Sequence, residues 1–462
     1  LPELEPKTRN KMMHDTLILC CHEGVKETKQ AFGNLFSQVD YLCKAHGIKV
    51  ADKIAIQTMR RHSNSQEPLS SEDLKYDARA LAIFISAVFG VDVPHELNVL
   101  IPHTNRPYQK GLEINNRRIR CIVKNWDSDF IRVDIDQDAD EEEYLVQLKD
   151  EENHIDHTYL WDILKEGMQL NLLDCQVKQP VITPRLIVVE PDYLVDISSI
   201  ATCFTAFGHH PLLYLLNQMK PRANTQATLL GNFAGAALDD IINTNGKYQM
   251  NETIKTNFRE KALEFCTCPW FDAKKFYTDA NQQAFNLQQV VDILFPRTAS
   301  QAQMSAFRGE SLYDRKKAIL EPSFVCEALG IQGRVDLMTT DCKLLVEQKS
   351  GRNMNIETHQ VDPGYHSYQL EPHYVQLLLY YGVLQHNFKL SNDRVNIRLL
   401  YSKYQPQDGL MVVAYYQKLF KEAIEYRNQL VAASFEIAKE GFEHALNEFT
   451  PEVLNVAGTQ DF

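Results

Sequence analysis

The sequence has no apolar stretch approaching the roughly eighteen residues that a spanning helix needs, and the short run Thr16–Cys21 lacks the charged-then-small pattern of a secretion signal. A cytoplasmic protein is therefore expected. The ten cysteines include no paired CxxC motifs at zinc spacing, so reduced core thiols are expected rather than a disulfide framework or a closed zinc site. A Walker A loop, Gly-x-x-x-x-Gly-Lys-Ser/Thr, is absent, which removes any recognisable ATP motor. His209 and His210 precede Pro211 without a serine or cysteine nucleophile pattern nearby; they read as cap or surface histidines, not as part of a hydrolase triad. No internal repeat is visible. Positive charge is also short: 48 Lys and Arg against 61 Asp and Glu leave −13, the wrong sign for generic nucleic-acid affinity. A nucleic-acid role then needs locally basic surface. Two segments can supply it, one with Arg117, Arg118 and Arg120, the other with Arg308, Arg315, Lys316 and Lys317.

What is present suffices for ordinary globular cores, since 44% of the 462 residues are hydrophobic and 10% aromatic. Residues 1–92 read as helical, with Leu35, Val39, Leu42 and Cys43, then Leu81, Ile83, Phe84 and Val88, mostly at three-to-four spacing. Over 93–180 the period changes to two: Ile119, Cys121 and Val123, then Ile131, Val133 and Ile135, predict a small antiparallel β domain. The acidic run Asp136–Glu143 inside it lacks the glycine turn and ligand spacing of a calcium loop and reads as a solvated hairpin tip.

The third region, 181–462, opens with a strand over Arg185–Val189 and helices around 197–218, 226–243 and on to about 293. From Glu321 the pattern gives strands over Phe324–Ala328, Ile331–Met338 and Leu344–Lys349, a helix near 371–387 and a strand over Val395–Tyr401. Helix, three strands, helix, strand outlines an α/β core, and Met411 to Asn447 adds one or two long helices.

The chemistry concentrates in Gly333-Arg334-Val335-Asp336 and, ten residues on, Glu347-Gln348-Lys349. Residues two apart on a strand share a face, so Glu347 and Lys349 project together while Val346 points to the opposite, buried side. Asp336, ending a neighbouring strand, can aim at the same spot. Hard carboxylate oxygens with few nitrogens or thiolates select Mg²⁺ or Mn²⁺, with the Gln348 carbonyl as a further ligand. Carboxylate-held metal can make a nucleophile from water and stabilise charge on a phosphodiester, and a lysine can orient that water or the phosphate. Gln376 and Tyr380, at i and i+4 on the following helix, face one way onto the sheet.

In order and type, Glu321–Gly351 followed by Gln376 and Tyr380 resembles the RecB-like branch of the PD-(D/E)xK nucleases. Over Ile200–Asp240 and Glu321–Gly351 it looks most like the nuclease part of the eukaryotic replication nuclease-helicases and, more distantly, the CRISPR spacer-processing nucleases. The resemblance covers roughly residues 180–405. It implies a restriction-endonuclease-like α/β nuclease core preceded by a helical segment and an OB-like β domain. It further implies Asp336 and Glu347 as metal ligands, Lys349 as the catalytic lysine, and Gln376 and Tyr380 as a helix motif contacting DNA or the active site.

The sequence departs from that family twice. Where a metal-binding histidine ends a Gly-x-x-x-His helix start, Gly231-Asn232-Phe233-Ala234-Gly235 places glycine. Glu321, or Asp239 and Asp240 one turn beyond Gly235, can stand in, and Glu321 is preferred because an acidic pair on a helix is usually a solvated face. Cys203 sits where the first cysteine of an iron–sulfur cluster would be, but none follows Cys342, so no such cluster is expected. The resulting expectation is a metal-dependent DNA nuclease acting on single-stranded ends or flaps in replication or repair, alongside a helicase that this chain lacks. The alternatives are a degenerate nuclease fold clamping DNA for a helicase, and a protein-interaction scaffold.

Overall fold

The computed structural model describes residues 5–28, 30, 32–63, 69–106, 117–136, 143–205, 208–219, 224–244, 247–361, 367–390, 394–441, 443–444 and 447. Residues 137–142 of the acidic run expected to form a hairpin tip lie outside them. The architecture is mixed α/β, and among the described residues no helix is long and apolar enough to cross a membrane. Two compact units are resolved, one formed by residues up to Tyr193 together with residues from Val431, the other by Leu194–Leu430.

In the first unit, helices Pro6–Gly24, Leu35–Ala45, Val50–His62 and Ser71–Phe89 bury Leu17, Cys21, Val39, Leu42, Ile56, Met59 and Phe84 against one another. The last of these helices is well delimited: Ser70 and Asp73 form a reciprocal capping box, and Gly90 ends it in the left-handed conformation at φ 65°. The alternating residues Ile119, Cys121, Val123, Ile131 and Val133 form the apolar side of a seven-stranded sheet. All its pairings are antiparallel except that between Tyr144–Gln147 and Val181–Thr183. Strand Leu186–Val189 is hydrogen-bonded along Gln169–Leu173 in this same sheet, so the sheet continues past residue 180. The segments 1–92 and 93–180 therefore belong to one compact unit.

In the second unit we number the elements that build the site. They are α1 (Gln226–Asn243), α2 (Ala273–Leu294), β1 (Ala318–Leu320), β2 (Ser323–Cys326), β3 (Ile331–Arg334), β4 (Leu337–Thr339), β5 (Leu344–Lys349), α3 (Glu371–Phe388), β6 (Asn396–Tyr401) and β7 (Leu410–Val412). The central sheet has the order β1-β4-β5-β6-β7, antiparallel except for the parallel pair β5 and β6 that α3 joins. Leu337, Leu344, Val346 and Leu400 pack on Phe233, Ala237, Leu238, Leu287 and Val291 of α1 and α2. Helix α3 is apolar nearly all round and buried from Tyr374 to Leu384, as expected of a helix enclosed in a core.

The run Ile331–Met338, expected as one strand, is broken. β3 pairs with β2 in a three-stranded sheet with Val195–Asp196, whereas β4 pairs with β1 and β5 in the central sheet. The strands paired with it supply the physical cause, at the joint between β1 and β2. Pro322 has no N–H to give the ladder, and Glu321 beside it adopts φ 48°. At the break the Glu321 N–H donates to the Asp336 carbonyl at 2.9 Å and the Val335 N–H to the Pro322 carbonyl at 3.3 Å.

Candidate active site

The sequence motif converges at this break. β5 presents Glu347 and Lys349 on one side while Val346 is buried on the other. The Lys349 ammonium donates to Glu347 Oε1 and to Gln376 Oε1, each at 2.8 Å, and Gln376 Nε2 donates to the same Glu347 oxygen at 2.7 Å. Glu347 is only 3% exposed, and its other oxygen, Oε2, is buried with no hydrogen-bond partner. A carboxylate oxygen buried that way is costly unless something cationic or protic reaches it.

Asp336 Oδ2 accepts the Gln348 N–H at 2.6 Å, which ties the break to β5. The Gln348 side chain points away, donating to Ser402 Oγ at 2.6 Å. Gln376 and Tyr380 are both buried, so they support site residues and do not form an open DNA-facing surface. Tyr380 donates its hydroxyl to the Arg334 carbonyl at 2.6 Å. Gly333 is required for that approach, because a Cβ there would lie 2.9 Å from the Tyr380 ring and 3.3 Å from Ile197.

Burial, before any neighbouring charge, raises the affinity of these groups for protons. Burial, then the charge of Asp336, pushes the Glu347 carboxyl up to about 8. Asp336 is raised mainly by burial, against the opposing pull of the Gln348 N–H and the Lys349 charge. Asp239 is lifted to about 7 by burial and by the charges of Glu321, Asp336 and Asp240. Asp239 thus senses the site, whereas its neighbour Asp240 is exposed and hydrogen-bonded to Thr253. Sequence reasoning preferred Glu321 as the stand-in acid. Its carboxylate is instead ion-paired with Arg334 at 3.0 Å, with both side chains largely in solvent. The signal for Asp239 lay one helical turn beyond Gly235, whose own Cβ position meets nothing within 4 Å.

The donor set, all carboxylate oxygens with an unpartnered Glu347 Oε2, fits a hard divalent cation in kind. As the side chains stand, no three His, Cys, Asp or Glu groups among the described residues close around a common point. The charge of Asp336 bears on both Glu347 and Asp239, and that of Glu321 bears on Asp239 as well.

Other expected features lie elsewhere. Cys203 and Cys268 are buried and Cys266 is exposed, all as free thiols. His209 is more than a cap: Nε2 meets Glu371 and Nδ1 meets Glu422, each at 2.6 Å, and these two carboxylates raise it to about 9. The basic segments are largely engaged internally. Arg120 grips both oxygens of Asp192 at 2.9 Å, Arg315 caps the carbonyl end of α1, and Lys317 meets Asp341.

No family model matches the chain, and no curated protein matches it in sequence. Among solved structures it is similar to one named "Putative exonuclease" from Eubacterium rectale, with a TM-score of 0.33 and 10% identity over 54% of this chain and 82% of that one. A likeness so remote carries no argument about activity.

Proposed function

We propose that this chain is a divalent-metal-dependent DNA nuclease whose site is Asp336, Glu347 and Lys349, with Asp239 as a further carboxylate. The observation that carries the reading is the buried Glu347 carboxylate, one oxygen clasped by Lys349 and Gln376 and the other left without a partner among further acids. Asp336, Glu347 and Asp239 would hold Mg²⁺ or Mn²⁺, joined by the Gln348 carbonyl. Such an ion supplies Lewis acidity toward a phosphate oxygen and lowers the pKa of a bound water. Glu347 and Gln376 keep the Lys349 ammonium on the site side of β5, where it orients the attacking water and stabilises the crowded phosphate. Tyr380 and Gly333 fix the backbone that leads into Asp336. In the hydrolysis, the water oxygen bonds to phosphorus, the bond to the leaving sugar oxygen breaks, and that oxygen gains a proton.

We further infer that the substrate is single-stranded or flapped DNA, with a helicase as the partner activity in replication or repair. The test is cleavage of 5′- and 3′-labelled single-stranded, flapped and duplex DNA with Mg²⁺ or Mn²⁺. The native chain should cut, and Asp336→Ala and Lys349→Ala should not. DNA binding without cutting by the native chain would sink this reading in favour of a degenerate clamp.

A further inference from the structure

Beside the buried acids, the rim of the site holds one charge pair of a different kind. Arg334 and Glu321 meet at 3.0 Å with side chains 61% and 41% exposed. Their backbones are tightly held. The Arg334 carbonyl accepts the Tyr380 hydroxyl, Arg334 pairs with Ser323 across β2 and β3, and Val335 after it is fully buried. Glu321 is set in a left-handed conformation, with its N–H on the Asp336 carbonyl. Anchored bases with solvated tips describe side chains whose position is fixed and whose partner can change.

Arg334 and Lys349 are the cations whose charge reaches Asp336. Lys349 is mostly buried and committed to Glu347 and Gln376, so Arg334 is the one of the two that a large anion can approach from solvent. Arg352 and Lys403 share Glu357. We propose that Arg334 is a phosphate-binding residue of this site, and that Glu321 is its resting counter-ion, displaced when a phosphodiester of the DNA strand takes the guanidinium. The inference rests on the nuclease reading and assigns Glu321 a role opposed to that of a metal ligand. An exposed ion pair contributes little, so exchanging it is easy, whereas a guanidinium matches two phosphate oxygens in a planar, charge-assisted fork.

The two partners then have opposite signatures, and a charge-keeping variant separates the guanidinium fork from bare charge. The experiment is fluorescence anisotropy of a labelled single-stranded oligonucleotide with the full chain in Ca²⁺, over a salt series. Arg334→Gln should weaken binding about tenfold and flatten the salt dependence by about 0.7 in log–log slope, the loss of one phosphate contact. Arg334→Lys, which keeps the charge but not the fork, should fall between. Glu321→Gln should tighten binding several-fold. Because both side chains are exposed, thermal melts of the variants should match the parent. Unchanged binding in Arg334→Gln, or weakened binding in Glu321→Gln, overturns the inference while leaving the nuclease reading in place. Failure of the unaltered chain both to bind and to cut overturns that reading, and the inference with it.

Discussion

The first unit and the site of the second treat negative charge in opposite ways. In the first, Asp136 meets Arg60 at 2.6 Å, Asp52 meets Arg79 at 3.1 Å, Asp134 meets Lys124 at 2.6 Å, and Asp192 takes both arms of Arg120. In the second, Glu347 Oε2 is buried with no hydrogen-bond partner while Lys349 is clasped to Oε1, and the charge of Asp336 bears on both Glu347 and Asp239. Paired charges hold a framework. A carboxylate oxygen buried without a partner is the feature on which the proposed ion site rests.

The comparison breaks most sharply under substitution. Glu347→Gln should lower cleavage by at least about a thousandfold without lowering the metal-free melting temperature, since the amide keeps an oxygen for Lys349 and Gln376 and places a donor where Oε2 has no partner. Arg120→Ala should do the reverse, destabilising by about 1–3 kcal/mol in denaturant titration through loss of its contacts to Asp192 and Asn171, with cleavage per folded molecule unchanged. Added Mg²⁺ should stabilise the native chain by about 2.7 kcal/mol at a hundredfold excess over its Kd, and chelation should remove the gain. In Asp336→Ala the gain should vanish.

A smaller effect distinguishes His209, whose two carboxylates are answered by one imidazolium. Its folded pKa of about 9 lies above the ordinary 6.5, so the folded state binds the extra proton. The stabilisation is whole below about 6.5 and is lost as pH rises through about 9. Denaturation midpoints between pH 6 and 10 should show that decline, and His209→Gln should flatten it. The smallest expected change is Gly235→Ala, in a helix interior with nothing within 4 Å of the new methyl. It should stabilise by about 0.5–1 kcal/mol and leave cleavage unaltered, because it adds no charge to the cluster.

Periodicity made β5 legible to the residue, Leu344–Lys349, and placed α3 within one residue of its observed end. The break between β3 and β4 was not legible, because an alternating run such as Ile331–Met338 reads straight through it. The cause sits between the neighbouring strands β1 and β2, at Glu321-Pro322. Asp336, Glu347, Lys349, Gln376 and Tyr380 were found from spacing and do meet in one region. Asp239 and Asp240 stood as alternatives to Glu321, and which member of that acidic pair is the less exposed is fixed only by the fold. Likewise Arg120 and Arg315 advertise charge, while their partners, Asp192 and the end of α1, are fixed only by the fold.

The junction at Glu321-Pro322 and Val335-Asp336 has one more consequence. No loop bears the acids: Asp336 hangs from a two-residue gap laced to β5, Glu347 from β5 itself, and Asp239 from the interior of α1. An ion arriving there can be met by turning side chains but not by sliding backbone. On the proposed reading such a frame would act as a gauge, accepting the roughly 2.1 Å bonds of Mg²⁺ while holding Ca²⁺, with bonds of roughly 2.3–2.6 Å, in a looser geometry unsuited to turnover.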